Sequence, residues 1–429
     1  MGAAPLGQER RGARLPQAAC GETQAALDQR GPLRVMFYSH DTYGLGHLRR
    51  TLTLARYLRR EQPLLSQLIV TGSPLAHRFE LPPGADYVKL PSVVKLGAER
   101  YEPRSLSLPF ATILGLRQEL ILSCARHFEP QVLVVDNVPA GLKGELVSTL
   151  RYLRRTPCLL VLGLRDVVDE AQWVRRAWAR DGSYELLDEV YDRILVYGQR
   201  DVYDLPAEYG FSAAAAAKTR FVGYLRREPA ARAAEEVRAE LGHDSRRLVL
   251  VMAGGGGDGY GLLRAVLDAI GRGANGSRFQ CLLLGGPFMP EDDRRRVLEL
   301  AAAEPSIRYL DFVEDVASYI AAADVVVAMG GYNSVCELLS ARKPGIIVPR
   351  IEPRREQAIR AEALSRRGLF RMIHPAQLTP ERLLAEMEGL LERPQRPETI
   401  AMDGLPAAGA ELDALLAQAP GLELAALGV

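Results

Sequence analysis

Apolar residues occur along the chain in two series of short continuous runs, separated by longer segments whose apolar positions have helical spacing. Runs that are apolar at successive positions are typical of strands buried on both faces of a parallel sheet. The first series comprises LRVMFYS, QLIVTG, VLVVDNV, CLLVLGL and RILVYG. The second comprises RLVLVMAG, FQCLLLGG, IRYLDF, DVVVAMGG, PGIIVPR and LFRMI. The pattern predicts an α/β fold in which each series forms one parallel sheet.

The length of 429 residues suits two domains of this kind. The predicted segments are a disordered leader at 1–31, an amino-terminal Rossmann-like domain at 32–229, a linker at 230–246, a carboxyl-terminal Rossmann-like domain at 247–395, and a final helix and tail at 396–429. Ligands of such sheets bind at the carboxyl ends of the strands. Two domains facing each other therefore predict a shared ligand cleft.

Charge and cysteine content exclude several classes of protein. Lys and Arg number 54 against 53 Asp and Glu, without the basic excess of a general nucleic-acid binder. The five cysteines form no CxxC pair, so no disulfide framework or zinc site is indicated. No apolar run reaches the roughly 18 residues of a membrane span, and the leader lacks the apolar segment of a secretory signal. A cytoplasmic location is predicted.

A glycine-rich loop, GGGGDG at 254–259, follows the first strand of the second series. Neither an acidic residue at the end of the next strand nor a GK[ST] motif accompanies it, so it fits neither a nicotinamide site nor a P-loop. Glycines still let the backbone approach an anion, and a helix start supplies free N–H groups. The predicted diphosphate cradle comprises Gly255, Gly256, Gly257 and Asp258. A tight turn without a ligand is the alternative.

The first loop, YGLGHLRR, places a histidine at the start of a helix. A helix N-terminus disfavours imidazolium, which suits His47 to act as a general base. Gly44 and Gly46 would leave the turn open to substrate, and Arg50 is a candidate contact for the acceptor or a phosphate. The alternative is that His47 only caps or packs.

Two aspartates at strand ends are candidate partners of that histidine. Asp136 ends the run VLVVDNV and could orient His47, while Asp166, in LRDVVDE, is a rival. Either residue could instead serve in a turn or a cap.

The stretch VAMGGYNSVCELLSARKPGIIVPR, followed by REQAIRAEALSRRG, resembles the donor-binding region of family 28 glycosyltransferases. That family includes the GlcNAc transferase of the peptidoglycan lipid intermediate. GLGHLRRTLTLA resembles the family's amino-terminal Gly-Gly-His turn, and GxGHxxR with LRD is similar to a branch of predicted glycosyltransferases. The resemblance runs from about residue 33 to about residue 391. It implies a GT-B fold, with two Rossmann-like doubly wound domains facing each other across a cleft.

The resemblance also implies a donor site. Glu337 would accept hydrogen bonds from both ribose hydroxyls of a UDP-sugar, and Gln357 would contact sugar hydroxyls. Further implied contacts are Phe312 and Val313 for uracil, and Gly330, Gly331, Asn333 and Ser334 for the phosphates. As alternatives, Glu337 is a surface acid, and Asn333 and Ser334 are helix caps. The chain departs from the family at Tyr332 and around Arg354.

The function that follows is transfer of GlcNAc or another hexose from a UDP-sugar to an acceptor hydroxyl, with inversion. Because no DxD motif ends a strand, the sequence predicts no metal and no cofactor, with arginines such as Arg354 neutralising the diphosphate. The acceptor could be a lipid, a small molecule or a glycan, and the oligomeric state is left open. The segment RSLSLPFATILGLRQELILSC fits either a buried helix or a peripheral contact at the inner face of the membrane. The alternatives are a sugar-nucleotide epimerase and a non-catalytic UDP-sugar sensor.

Overall fold

The computed structural model of the chain describes residues 32–40, 46–95, 100–271, 278–392 and 399–419. The predicted leader at 1–31 lies outside the described residues. Gly44, predicted to keep the first loop open, also lies outside them.

The first series of apolar runs forms a seven-stranded parallel sheet in the order β3-β2-β1-β6-β7-β8-β9. Its strands are β1 Arg34–Ser39, β2 Ser66–Thr71, β3 Ala85–Lys89, β6 Val132–Asp136, β7 Leu159–Arg165, β8 Arg193–Tyr197 and β9 Thr219–Phe221. Strands β4 Val93–Lys95 and β5 Tyr101–Pro103 form a small antiparallel hairpin. The helices are α1 Gly46–Glu61, α2 Phe110–Phe128, α3 Val147–Leu153, α4 Ala171–Asp181, α5 Ser183–Glu185, α6 Leu205–Tyr209 and α7 Ala213–Lys218.

The second series forms a six-stranded parallel sheet in the order β12-β11-β10-β13-β14-β15. Its strands are β10 Arg247–Met252, β11 Phe279–Leu284, β12 Ile307–Leu310, β13 Val325–Ala328, β14 Gly345–Ile347 and β15 Arg371–Met372. The helices are α8 Ala234–Glu240, α9 Tyr260–Gly271, α10 Glu291–Ala302, α11 Val316–Ala322, α12 Tyr332–Ala341, α13 Glu356–Arg366, α14 Pro380–Glu392 and α15 Gly404–Gln418. The predicted α/β fold with two doubly wound parallel sheets is confirmed.

Both sheets reverse their strand order at one point, between β1 and β6 and between β10 and β13. Such switch points leave a crevice at the carboxyl ends of the strands, where ligands of doubly wound sheets bind. Helix α1 follows β1 and buries Leu48, Leu52 and Ala55 at helical spacing against the sheet. Packing of that apolar face fixes the start of α1 beside the first switch point.

Contacts across the domain boundary are extensive. One apolar cluster runs from the first sheet into the second and includes Val237 of α8, so the segment expected as a linker partly belongs to the core. Helix α15 returns to the amino-terminal domain, where Gly409 packs near Tyr57 of α1. Over the described stretches, none of the helices combines the length and the apolar character needed to cross a membrane.

Candidate active site

A cleft lies between the two domains, at the carboxyl ends of both sets of strands. Its walls come from the start of α1, the end of β7, the loops after β10 and β13, and the start of α13. Predicted residues that line it are His47, Gly46, Arg50, Gly255, Gly257, Asp258, Phe312, Val313, Gly331, Asn333, Ser334, Glu337 and Gln357. The structure thus brings the base candidate and most of the donor-site candidates to one cavity.

His47 is the second residue of α1, and its ring is held by Asp136, the last residue of the neighbouring strand β6. Nδ1 of His47 lies 2.5 Å from Oδ2 of Asp136. Arg50, one turn along α1, donates to both oxygens of the same carboxylate, at 2.7 Å from Nε and 2.8 Å from Nη2. The three side chains therefore form one connected group beside the first switch point.

The charge state of Asp136 decides which nitrogen of His47 is available. Burial alone would raise the pKa of Asp136, but the charges of Arg50 and His47 outweigh burial and lower it to about 2. An ionised carboxylate only accepts hydrogen bonds, so Nδ1 carries a proton and donates it. Nη2 of Arg50, 3.1 Å from Nδ1, then bonds the carboxylate rather than the ring. Nε2 is the nitrogen left to receive a proton.

A second histidine, His40, lies just after β1 with its ring centroid 5.7 Å from that of His47. Burial, with the neighbouring charge of His47, holds the pKa of His40 well below its usual range. Its Nδ1 lies 3.3 Å from the hydroxyl of Tyr38, which donates to Glu145, a buried partner of Arg117. His40 is therefore neutral near pH 7.

The glycine loop after β10 faces the cleft only in part. Gly255, Gly257 and Asp258 line the cavity, but Gly256 does not. Gly256 has a φ of +91°, and a Cβ there would lie 2.3 Å from the carbonyl oxygen of Gly285. Glycine at 256 is thus required for packing against the end of β11, and its place in the cradle stays a prediction.

Glu337, in α12, is the predicted ribose ligand and is only 4% exposed. Nη2 of Arg49, from the opposite domain, lies 2.7 Å from its Oε1. The ion pair lacks hydrogen-bond geometry, and neither carboxylate oxygen has a hydrogen-bond partner among the described residues. A buried carboxylate with open acceptor positions therefore faces the cleft.

The start of α12 joins the two halves of the cleft. Asn333 donates from Nδ2 to the carbonyl oxygen of Gly46 at 3.0 Å, so these predicted site residues bind each other across the domains. A Cβ on Gly330 would lie 2.9 Å from the carbonyl oxygen of Gln357, so glycine here permits the close approach of α13. The side chain of Gln357 accepts from the backbone N–H of Arg350.

Comparison with known proteins identifies the carboxyl-terminal half. Residues 248–408 match the family model described as glycosyltransferase family 28 C-terminal domain. A UDP-N-acetylglucosamine--N-acetylmuramyl-(pentapeptide) pyrophosphoryl-undecaprenol N-acetylglucosamine transferase from Paenarthrobacter aurescens (strain TC1) is 28% identical over 84% of this chain and 88% of the relative. The chain is a glycosyltransferase of the GT-B fold whose carboxyl-terminal part is similar to the family 28 C-terminal domain.

A second relative, the transferase of the same name from Corynebacterium efficiens, is 29% identical over 40% of this chain and only 46% of its own length. Among solved structures, MurG of Acinetobacter baumannii superposes with a TM-score of 0.51 at 15% identity, over 89% of this chain and 94% of that one. A putative UDP-N-acetylglucosamine 2-epimerase from Listeria monocytogenes gives 0.60 at 13% identity, over 90% and 96%. At these identities the structural likeness concerns the fold alone.

Two predicted residues of the glycosyltransferase lie away from the cleft lining. Asp166 is 1% exposed, and its oxygens accept from Arg360 of α13, with 2.6 Å from Nη2 to Oδ1. Arg354 stacks over the ring of Trp173, and its Nε lies 3.6 Å from Oδ2 of Asp169. Each residue forms an ion pair with a residue of the opposite domain, so both connect the two domains. The structure thus brings Asp136, and not Asp166, to His47.

Charged residues that line the cleft of the glycosyltransferase but were not predicted as site residues include Arg49, Arg165, Arg350 and Glu356. Arg49 is adjacent in sequence to the predicted Arg50, and Arg350 precedes Arg354 by four residues. Within the described ranges, the structure contains no group of three or more His, Cys, Asp or Glu side chains arranged to hold a metal ion.

Proposed function

We propose that this glycosyltransferase moves GlcNAc or a related hexose from UDP to the hydroxyl of an acceptor, with inversion and without a metal ion. The observation that carries the proposal is the buried carboxylate of Glu337, whose two oxygens lack hydrogen-bond partners among the described residues. Glu337, the glycine loop and His47, which Asp136 holds, line the same cleft. One cavity therefore contains groups for binding the donor and for removing the acceptor proton.

An unsatisfied buried carboxylate costs free energy, and a ligand that supplies donors recovers it. The two adjacent hydroxyls of ribose offer two such donors to one carboxylate. The backbone of the loop containing Gly255 and Gly257, together with the start of α12, suits the diphosphate in the same cavity. The relatives' names specify UDP-N-acetylglucosamine as their donor, which agrees with this ligand class.

The chemistry is a single displacement. The acceptor oxygen forms a bond to the anomeric carbon while the bond from that carbon to UDP breaks, and UDP leaves with the electron pair. Nε2 of His47 takes the proton of the acceptor hydroxyl, and Asp136 stabilises the resulting imidazolium. The guanidinium of Arg49, the loop N–H groups and the α12 start supply positive potential for the leaving diphosphate.

Glu337→Ala is expected to weaken UDP binding by about 1.5–3 kcal/mol, roughly 10- to 100-fold in Kd, because hydrogen bonds to a charged acceptor are lost. Calorimetry with UDP and 2′-deoxy-UDP measures it. The wild-type protein should prefer UDP, and the variant should bind both equally. Glu362→Ala, which removes an exposed carboxylate of α13, is the matched control.

Two results would contradict the proposed donor: tighter binding of GDP than of UDP by the wild-type protein, or unchanged UDP affinity in Glu337→Ala. The reaction type is tested with the wild-type protein and a UDP-sugar. Transfer requires an added acceptor hydroxyl, whereas an epimerase turns over without one and a sensor does not turn over at all.

The acceptor is proposed to be carried on a lipid. Three leucines just before and within the first turns of α2 are unusually exposed: Leu106 at 48%, Leu108 at 46% and Leu116 at 44%. Segment 104–116 contains no carboxylate and one charge, Arg104, which suits an anionic bilayer surface. The relatives' names specify a pyrophosphoryl-undecaprenol acceptor.

The triple substitution Leu106→Ser, Leu108→Ser and Leu116→Ser is expected to reduce binding to phosphatidylglycerol vesicles at least tenfold, since full burial of one leucine is worth roughly 1.5–3 kcal/mol. Vesicle flotation measures the bound fraction. Leu64→Ser is the matched control, because Leu64 is 50% exposed and lies between α1 and β2. Equal loss in both variants, or no loss in either, would rule out this surface.

A further inference from the structure

Arg165 is the last residue of β7 and reaches the interdomain cleft from the amino-terminal domain. Its backbone N–H donates to the side chain of Asn137 at 3.3 Å, which joins it to the end of β6. The guanidinium donates from Nη2 to the carbonyl oxygen of Val168 at 3.1 Å. Nε is buried and has no hydrogen-bond partner among the described residues.

Arg165 differs in its pairing from the other arginines of the cleft. Arg49 lies 2.7 Å from Glu337, Arg50 lies 2.7 Å from Asp136, and Arg350 lies 2.5 Å from Glu356. Across the described part of the chain, no carboxylate comes within ion-pair distance of the Arg165 guanidinium. Among the described residues, the Arg165 guanidinium therefore bonds a backbone carbonyl but no carboxylate, and its Nε has a free donor position.

The electrostatic environment destabilises the charged form of Arg165. Burial lowers the pKa of Arg165 to about 10, and the charges of Arg360, Arg50 and Arg354 add to the effect, while Glu356 opposes it. The side chain is still protonated at neutral pH, so a positive charge sits in a partly desolvated site near the guanidinium groups of Arg360, Arg50 and Arg354. An anion placed against it would relieve both the repulsion and the missing hydrogen bond.

We propose that Arg165 is a substrate-binding residue that holds a phosphate group during transfer, opposite the glycine loop of the carboxyl-terminal domain. The inference rests on the proposed function, and it names which side chain of the amino-terminal domain completes the phosphate site. Two sources share this chemistry: the diphosphate of the donor, and a phosphate of the acceptor. Guanidinium suits either one, because its planar N–H groups bind phosphate oxygens in pairs.

The test compares ligands that differ only in phosphate. UDP, uridine and inorganic pyrophosphate are titrated calorimetrically into wild type, Arg165→Gln and Arg165→Lys. If Arg165 holds the donor diphosphate, Arg165→Gln lowers UDP and pyrophosphate affinity about 10- to 100-fold and changes uridine affinity less than twofold. Arg165→Lys recovers part of the loss. Arg155→Gln, an exposed arginine at the opposite end of β7, is the matched control.

If Arg165 instead holds an acceptor phosphate, UDP and pyrophosphate affinity stay unchanged in Arg165→Gln, and KM for a pyrophosphate-linked acceptor rises about tenfold or more at constant UDP-sugar KM. The proposal is overturned if all three ligands and the acceptor KM are unaffected, or if uridine affinity falls together with that of UDP. Pyrophosphate contains no base, so its titration tests Arg165 even if the donor nucleotide is not UDP. Wild-type UDP binding tests the proposed function separately.

Discussion

Replacing His47 with alanine is expected to lower turnover by about 100- to 10,000-fold, the usual contribution of a general base. Asp136 occupies Nδ1 at 2.5 Å, so Nε2 is the nitrogen that receives the acceptor proton, and alanine removes it. UDP affinity should change little, because Glu337 and the glycine loop belong to the other domain. Turnover at saturating donor and acceptor, with calorimetry of UDP, measures both quantities.

The pH profile of turnover distinguishes a general base at His47 from a residue that only packs. The depressed pKa of Asp136, about 2, keeps its carboxylate ionised above about pH 4, and its contribution to stability is lost only as pH falls toward 2. His40 is neutral near pH 7 because its pKa is lowered by burial and by His47. Any acidic limb in the pH profile of turnover should therefore be absent from His47→Ala, because the variant lacks the proton acceptor.

His77→Ala is the matched control for this variant, since His77 is exposed in the short turn Ala76–Arg78 and distant in sequence from α1. Near wild-type turnover in His47→Ala with saturating acceptor would show that the histidine is only a helix-start residue. An equal loss in UDP affinity and turnover would instead indicate that the cleft had collapsed.

The pairing of His47 with Asp136 could be predicted from the sequence because of the strand order of the sheet. His47 follows β1 and Asp136 ends β6, and these strands are neighbours at the switch point of a doubly wound sheet. Continuous apolar runs indicated the strands, and their ends had to meet at one edge. Asp166 directly follows the next strand, β7, and was a rival candidate by the same logic. Local pattern could not show that an arginine of the other domain binds it.

The contacts between the domains could not be predicted from the sequence. Arg49 and Arg50 are adjacent in α1, but successive side chains of a helix point about 100° apart. Arg50 turns inward to Asp136, while Arg49 reaches Glu337 across the cleft. Tyr332, a departure from the family pattern, packs in the interface, with Arg50 and Arg360 on its ring at 5.4 and 5.6 Å. Such pairings depend on how the domains dock, which neither periodicity nor spacing encodes.

The buried pair of Asp166 and Arg360 leads to the second large prediction. Both side chains are almost fully buried, at 1% and 0% exposure, and they join β7's carboxyl end to α13. Asp166→Ala would leave the Arg360 charge buried without its carboxylate, which is expected to cost about 3–5 kcal/mol in the free energy of unfolding. Denaturant titration measures this cost. Asp201→Ala is the matched control, because Asp201 also binds an arginine of the other domain, Arg367, but is 62% exposed.

The control is expected to lose less than about 1 kcal/mol, since solvent screens an exposed pair. Replacing both partners, as Asp166→Leu with Arg360→Met, should recover much of the loss, because no unpaired charge then remains in the interface. His47→Ala and Asp166→Ala thus separate two roles. The first should remove turnover while the unfolding midpoint stays constant, and the second should lower the midpoint. An Asp166→Ala protein with wild-type stability and lost turnover would return Asp166 to the catalytic role, with Arg360 as the residue that positions it.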